Sequence, residues 1–157
     1  YSSFSLLQLI DDTLSILDLN AKAKSIVLKK VLIGPIPAIF CGDSRRIQQI
    51  LINLVSNAIK FTNQGEVCLR ITGSLEKPDQ VKFEIQDTGI GMSPEQVEKL
   101  FNQFEQTSQH IHREFGGTGL GLYISRHLTR LMGSDIVVRS EPGKGTEFEF
   151  TLSSFLK

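Results

Sequence analysis

Between Phe4 and about Asn20, apolar residues fall at Leu6, Leu7, Ile10, Leu14 and Leu17, the spacing of one stripe on a helix that faces a core. From Ser25 to Ile33 the chain becomes β-rich, and Gly34-Pro35-Ile36-Pro37 breaks it. Asp43 or Ser44 can cap a helix that runs to about Phe61, and Asn63-Gln64-Gly65 makes a turn. From Glu66 to Thr72, Val67, Leu69 and Ile71 alternate with polar neighbours as in a strand. After the Lys77-Pro78-Asp79 turn, Val81, Phe83 and Ile85 mark a second one. Ser93 followed by Pro94 reads as an N-cap with proline at the first helical position, opening a helix to about Phe101. Residues 102–117 are polar and aperiodic, which predicts a mobile loop. A helix follows from Leu120 to Met132, with Leu120, Ile124, Leu128 and Leu131 on one face. Two closing strands lie near Ile136–Ser140 and Glu147–Leu152, joined by a turn at Pro142-Gly143-Lys144-Gly145. Three to four helices and about five strands, not strictly alternating, predict an α+β sandwich with the helices on one face of one sheet.

Composition narrows the class without naming a chemistry. The chain has 157 residues, 40% hydrophobic and 22% charged, as one domain of ordinary size would. At that size roughly two thirds of the unfolded surface is buried on folding, so neither disulfides nor a metal are needed for stability. Seventeen basic residues balance seventeen acidic ones, which counts against a nucleic-acid partner. Cys41 and Cys68 are too few and too far apart for a zinc cluster, and they are expected as free, buried thiols in a reducing compartment. No apolar run approaches the roughly 20 residues of a membrane span. The opening Tyr1-Ser2-Ser3 reads as a boundary inside a longer protein.

Four stretches carry candidate chemistry. On the helix from Asp43 to Phe61, Ile47, Leu51, Leu54 and Ala58 share one face, and Asn53, Asn57 and Lys60 share another. Asparagine is a poor helix former because its amide competes for backbone hydrogen bonds. Two asparagines at i and i+4 with a lysine one turn on are either a solvated face, shared with Arg46 and Gln49, or a ligand set. In the second reading, amide oxygens would suit Mg²⁺ and the ammonium would suit phosphate. Asp87-Thr88-Gly89-Ile90-Gly91-Met92 follows a strand directly. Its carboxylate could accept a hydrogen bond from an exocyclic amine, or the segment could be a plain strand–turn–helix connection. Gly116-Gly117-Thr118-Gly119-Leu120-Gly121-Leu122 opens a helix, where successive free N–H groups make an anion site; a flexible hinge is the alternative. It is neither a dinucleotide fingerprint nor a Walker loop, because its spacing is GxGxG and no Gly-Lys-Ser/Thr follows. Gly143-Lys144-Gly145-Thr146, taken alone, is a hairpin turn. His127 lies beside an apolar stripe and is expected to be packed. His110 and His112 sit in the polar loop without a metal-spaced partner, and no role is assigned to them.

In this order, the four stretches resemble the N, G1, G2 and G3 boxes of sensor histidine kinases. The stretch DSRRIQQILINLVSNAIKFT over 43–62 is similar to the N box, DTGIGM to G1, GGTGLGL to G2 and GKGTEF to G3. Leu100-Phe101-Asn102-Gln103-Phe104 resembles the F box, and FEQ with GGTGLGL is similar to the hybrid-type kinases. The resemblance covers nearly the whole chain, and five ordered motifs are specific where each alone is weak. The ATP-binding domain of that family is shared with gyrase, mismatch-repair and heat-shock ATPases. Its fold is a two-layer α/β sandwich with a mixed sheet of about five strands and three to four helices on one face.

The resemblance implies a role for each matching residue. Asn57 matches the Mg²⁺ ligand, Asn53 supports the metal or its water, and Lys60 matches the phosphate-contacting lysine. Asp87 matches the aspartate that reads the adenine amine, and Gly89 and Gly91 shape the adenine pocket. Gly117, Thr118, Gly119, Leu120 and Gly121 belong to the phosphate-cradling box, and Thr146 matches the threonine near the adenine. Residues 102–116 would be an ATP lid from which Arg113 could reach the γ-phosphate, with Phe101 and Phe104 as lid anchors. Hydrolytic relatives place a water-activating glutamate four residues before the metal asparagine. Asn53 occupies that position here and cannot act as a base, which places the chain on the kinase branch. The implied activity is protein histidine kinase, with ATP and Mg²⁺ as cofactors.

The implied partners are the dimerisation and phosphoacceptor hairpin of the same protein and, indirectly, a response-regulator receiver domain. The resemblance implies that this hairpin lies upstream of the sequence given, in which nothing resembles it. The chain is therefore expected to be a single catalytic domain over 1–157, monomeric, cytoplasmic and inactive without its acceptor. Two rivals stand beside this reading: a degenerate ATP-binding interaction module, and a serine protein kinase of the same superfamily. Met132-Gly133-Ser134 replaces the family's usual MGG, with little consequence expected.

Overall fold

The computed structural model of the chain describes residues 1–103 and 119–155. Strand β1 (Ser2–Ser5) leads into α1 (Leu6–Ala23), followed by β2 (Val27–Ile33), β3 (Ile39–Gly42), α2 (Ser44–Lys60), β4 (Glu66–Gly73) and β5 (Gln80–Asp87). Helix α3 (Pro94–Gln103), helix α4 (Gly119–Leu131) and the strands β6 (Val137–Glu141) and β7 (Gly145–Ser153) complete the described chain. A five-stranded sheet has the order β2-β4-β5-β7-β6, and β1 and β3 form a separate two-stranded sheet. The larger sheet is mixed: β2 pairs with β4 in parallel, and its other neighbours are antiparallel. This is the expected α+β sandwich.

The two faces of the large sheet differ as alternation requires. Val67, Leu69, Ile71, Val81, Phe83, Ile85, Phe148, Phe150 and Leu152 are buried against the helices. Phe83 and Phe150 stack at its centre with ring centroids 4.9 Å apart. The opposite face carries a charged ladder in which Arg70, Lys82 and Arg139 pair with Glu84, Glu147 and Glu149 across β4, β5, β7 and β6.

Helix α2 lies over the core face. Its N-cap Asp43 accepts from the Arg46 N–H, and Ile47, Ile50, Leu51, Leu54, Val55, Ala58 and Ile59 are buried. The expected stripe is all there. The far end of α2 is tied down from the end of α1: Lys24 Nζ donates to the carbonyls of Ile59 (2.8 Å) and Lys60 (2.9 Å). A cation on the last carbonyls of a helix satisfies acceptors that have no partner within the helix.

Several expectations are corrected. Helix α1 begins at Leu6 rather than Phe4, because Ser5 ends β1 and its hydroxyl accepts from the Gln8 N–H as the N-cap. It also continues past Asn20 to Ala23. Strands β1 and β3 have no counterpart in the sequence pattern. Helix α3 includes Asn102 and Gln103, which that pattern assigns to the loop; residues 104–117 of the loop lie outside the described residues. On α4 Leu122, Ser125 and Thr129 are fully buried; of the expected stripe Leu128 packs against the core partly buried, while Leu131 is exposed. The Thr129 hydroxyl donates to the Ser125 carbonyl at 2.6 Å, which makes a polar stripe tolerable inside. That rotation turns His127 outward. It is exposed, not packed, and lies parallel to the Tyr123 ring. Cys41 and Cys68 are free but only half-buried.

Candidate functional site

Two turns meet at the C-terminal end of α2. The backbone leaves Lys60 through Phe61, whose N–H closes on the Asn57 carbonyl and whose own carbonyl accepts from the Ile90 N–H. A side chain at Gly89 would strike the Phe61 carbonyl, and one at Gly91, where φ is +68°, would strike the Glu141 carbonyl. Both positions therefore require glycine for close approach. The 87–92 turn is also braced to the β6–β7 hairpin. Gly143 N–H donates to the Ile90 carbonyl (2.7 Å), and Met92 N–H donates to Ser140 Oγ (2.7 Å). On its other side Thr88 Oγ1 accepts from the Glu66 N–H at 3.0 Å.

Asp87 ends β5 inside this frame and is 4% exposed. Its Oδ1 accepts from the Gly89 N–H (2.9 Å) and the Thr146 N–H (3.2 Å). Burial pushes the carboxyl above the usual aspartate value, against those two donors, which favour the charged form. Oδ2 has no protein partner among the described residues, so one oxygen is held by the backbone and the other is left for a donor from outside. Thr146 is buried beside it. Its hydroxyl is 2.8 Å from Ser140 Oγ.

The asparagine pair sits on α2 above this turn. Asn57 is 5% exposed, and its Oδ1 is buried with no hydrogen-bond partner among the described residues. Such an acceptor costs about 1–3 kcal/mol, a cost that a ligand donor or cation at this position would offset. Asn53, one turn earlier, is half-buried, and Lys60 is exposed. The three form a gradient from inside to solvent rather than one solvated face. Arg46 and Gln49, by contrast, lie toward solvent at the other end of the helix. A buried amide oxygen fits a hard cation such as Mg²⁺.

The first turn of α4 holds Gly119, Leu120 and Gly121, and α4 packs on α2. The N–H groups of a helix's first turn have no partner within the helix. Phe101 lies on α3. Phe104, Arg113, Gly117 and Thr118 lie outside the described residues. Among the described residues no cluster of His, Cys, Asp and Glu is arranged to hold a metal, so a cation here would depend on amide, phosphate and water oxygens. No described helix is long and apolar enough to cross a membrane. A separate open groove of about 280 Å³, lined by Phe4, Gln8, Asp12, Arg45 and Gln48 among others, contains none of these residues.

Residues 42–154 match the model of the histidine kinase-, DNA gyrase B- and HSP90-like ATPases. The chain belongs to this family. It is 45% identical over 152 residues to the sensor histidine kinase GacS of Pseudomonas protegens, covering 96% of this chain and 17% of that protein. It is 41% identical over 153 residues to the hybrid signal transduction histidine kinase B of Dictyostelium discoideum, covering 95% of this chain and 8% of that one. Among solved structures, full-length ShkA in complex with AMPPNP superposes with a TM-score of 0.81 at 30% identity, over 99% of this chain and 32% of that one. The nucleotide-free catalytic domain of the histidine kinase ThkA superposes at 0.76 with 25% identity, over 98% and 95% of the two chains. The chain is thus an ATP-binding catalytic domain of the sensor histidine kinase type. It spans less than a fifth of the length of these curated relatives.

Two supports of the site, Ser140 and Lys24, belong to no motif in the sequence. Ser140 comes into place through the β6–β7 register, which is centred on Gly143 and sets Ser140 opposite Thr146. Lys24 has no signal in the sequence, since its contact spans 35 residues.

Proposed function

We propose that the site binds Mg·ATP and that, in a longer protein, the domain donates the γ-phosphoryl to a histidine on a dimerisation hairpin. The observation that carries this reading is Asn57 Oδ1, a buried oxygen without a partner, one turn before an exposed lysine on the same helix. Asn57 would hold Mg²⁺, with Asn53 behind it supporting the ion or its water. An ion held there would supply positive charge against the triphosphate. Lys60 and the first-turn N–H groups of α4 would orient the triphosphate. Asp87 Oδ2 would accept from the adenine amine and fix the other end. Gly117, Thr118 and Arg113 remain part of this proposal on motif alone, as do Phe101 and Phe104 as lid anchors.

Phosphoryl transfer asks mainly for positioning and charge neutralisation, and these residues offer both. The position where hydrolytic relatives carry a water-activating glutamate is Asn53 here, whose amide is no base. The acceptor imidazole would attack the γ-phosphorus, forming a P–N bond as the bond to the departing ADP breaks. A receiver domain would take the phosphoryl group next.

Titration calorimetry with a non-hydrolysable ATP analogue, with and without Mg²⁺, tests the binding step. Saturable binding that Mg²⁺ strengthens and Asn57→Ala makes Mg²⁺-independent is the expected result. No binding by the folded chain would refute it. Mixing the domain with ATP and separate hairpin and serine substrates tests the transfer: an acid-labile product on the hairpin supports the histidine reading, and an acid-stable product on serine overturns it.

A further inference from the structure

In the hydroxyl pair behind Asp87 either oxygen can donate to the other, and the remaining partners of Ser140 favour one polarity. Ser140 Oγ lies within hydrogen-bond distance of three groups: the Met92 N–H at 2.7 Å, the Gly145 carbonyl at 2.9 Å and Thr146 Oγ1 at 2.8 Å. A serine hydroxyl has one proton and two acceptor positions. The Met92 N–H can only donate and the Gly145 carbonyl can only accept. Both are satisfied when Ser140 accepts from Met92 and gives its single proton to Gly145. Its remaining lone pair then takes the Thr146 proton. The three contacts saturate Ser140, and Thr146 Oγ1 keeps only acceptor capacity for anything else.

Thr146 stands beside Asp87 on the core face of β7, which also carries Phe148 and Phe150. Its backbone N–H is already engaged by Asp87 Oδ1. Of the polar side-chain and N–H groups of Asp87 and Thr146, those left for a ligand are therefore the carboxylate Oδ2 and a hydroxyl lone pair, two acceptors and no donor. Resting on the nucleotide reading, we infer that Ser140 is a positioning residue for base selection: it holds the Thr146 hydroxyl as an acceptor, so that the pocket takes a purine with an amine at its six-position and rejects one with a carbonyl there. A site that presents only acceptors to a carbonyl leaves buried lone pairs facing lone pairs. Mismatches of this kind discriminate far more strongly than a change in size.

Variants at the hydroxyl pair separate specificity from general damage. In Ser140→Ala, Thr146 loses its proton acceptor, and its hydroxyl can turn to donate to a six-position carbonyl. Binding of ADP and of inosine diphosphate is measured by calorimetry with Mg²⁺, on wild type, Ser140→Ala and Thr146→Val, with thermal melting as the check on folding. The expected result is a strong preference for ADP in the wild type that narrows roughly tenfold in Ser140→Ala, whatever happens to the absolute affinities. A folded Ser140→Ala that weakens both ligands equally and keeps the ratio overturns the inference. Should Ser140→Ala not fold, Thr146→Val decides: it lacks the hydroxyl, so an unchanged ratio overturns the inference and a narrowed ratio supports it. Failure of the wild type to bind either diphosphate refutes the nucleotide reading itself, an outcome distinct from binding without the predicted change in ratio.

Discussion

The two ends of the candidate site are built by opposite rules. Around Asp87 almost every polar atom is satisfied by the protein: Oδ1 by two N–H groups, Ser140 by three partners, and the 90–92 turn by the β6–β7 hairpin. Around Asn57 the protein leaves a buried oxygen without a partner and sets an exposed lysine nearby. The first end is rigid before any ligand arrives and can be selective. The second is incomplete without one, so its order and its stability are coupled to binding.

The largest effect is expected at the rigid end. Asp87→Asn should weaken adenine-nucleotide binding by roughly 30- to 100-fold, because the amine loses a charged acceptor. The same change should not destabilise the free chain, since the asparagine oxygen can still accept from Gly89 and Thr146 while a desolvated charge is removed. Binding by calorimetry and melting by circular dichroism check both halves, and a large fall in melting temperature would sink the contrast.

Next comes Asn57→Leu. It removes the orphan oxygen at similar volume, so the free chain should melt about 2–4 °C higher, corresponding to about 1 kcal/mol. The gain in affinity that Mg²⁺ gives the wild type should vanish. A lower melting temperature would mean that the oxygen has a structural partner.

pH sharpens the comparison further. Burial raises the Asp87 carboxyl above the ordinary value of 3.8. The stability linked to a raised carboxyl is full below 3.8 and is lost as pH rises through the folded value, so ionised Asp87 is a cost at neutral pH. Adenine binding needs the ionised form and should fall as pH drops through that same folded value. The stability advantage of Asp87→Asn should accordingly disappear below about pH 4. An advantage that persists in acid would show that charge burial is not its cause.

The last effect is on stability alone and concerns the tether of α2. Lys24→Met removes two hydrogen bonds from the last turn of that helix and should cost about 1 kcal/mol, seen as a drop of about 2–4 °C in melting temperature. Lys24→Arg should recover part of it.

The helices and the large sheet are legible in the sequence because their burial follows simple periods. Ile47, Leu51, Leu54 and Ala58 repeat as a helix, and Val67, Leu69 and Ile71 as a strand. Strands β1 and β3 are not legible: each has four residues, and Phe40 is the one apolar side chain fully buried in either, so there is no alternation to read. Their pairing rests on the Phe4–Phe40 contact, between residues far apart in the chain. The stripe on α4 misleads because Thr129 is buried with its hydroxyl on the Ser125 carbonyl, a satisfaction that hydrophobicity does not register. The candidate residues on α2 and at Asp87 stand out by type and spacing. The supports that fix them, Ser140 and Lys24, act through contacts that only the fold creates.

The parallel pairing of β2 with β4 has a consequence in time. Parallel neighbours cannot be joined by a tight turn, and here the connection is β3 and α2. The crossover helix is the one that carries Asn53, Asn57 and Lys60. The β4–β5 and β6–β7 hairpins close locally, whereas β2 can dock only once the chain has looped through α2. Pulse-labelled refolding should protect the hairpins first and the β2–β4 ladder last. Competence to bind nucleotide should then appear in that last phase, with the completed sheet edge.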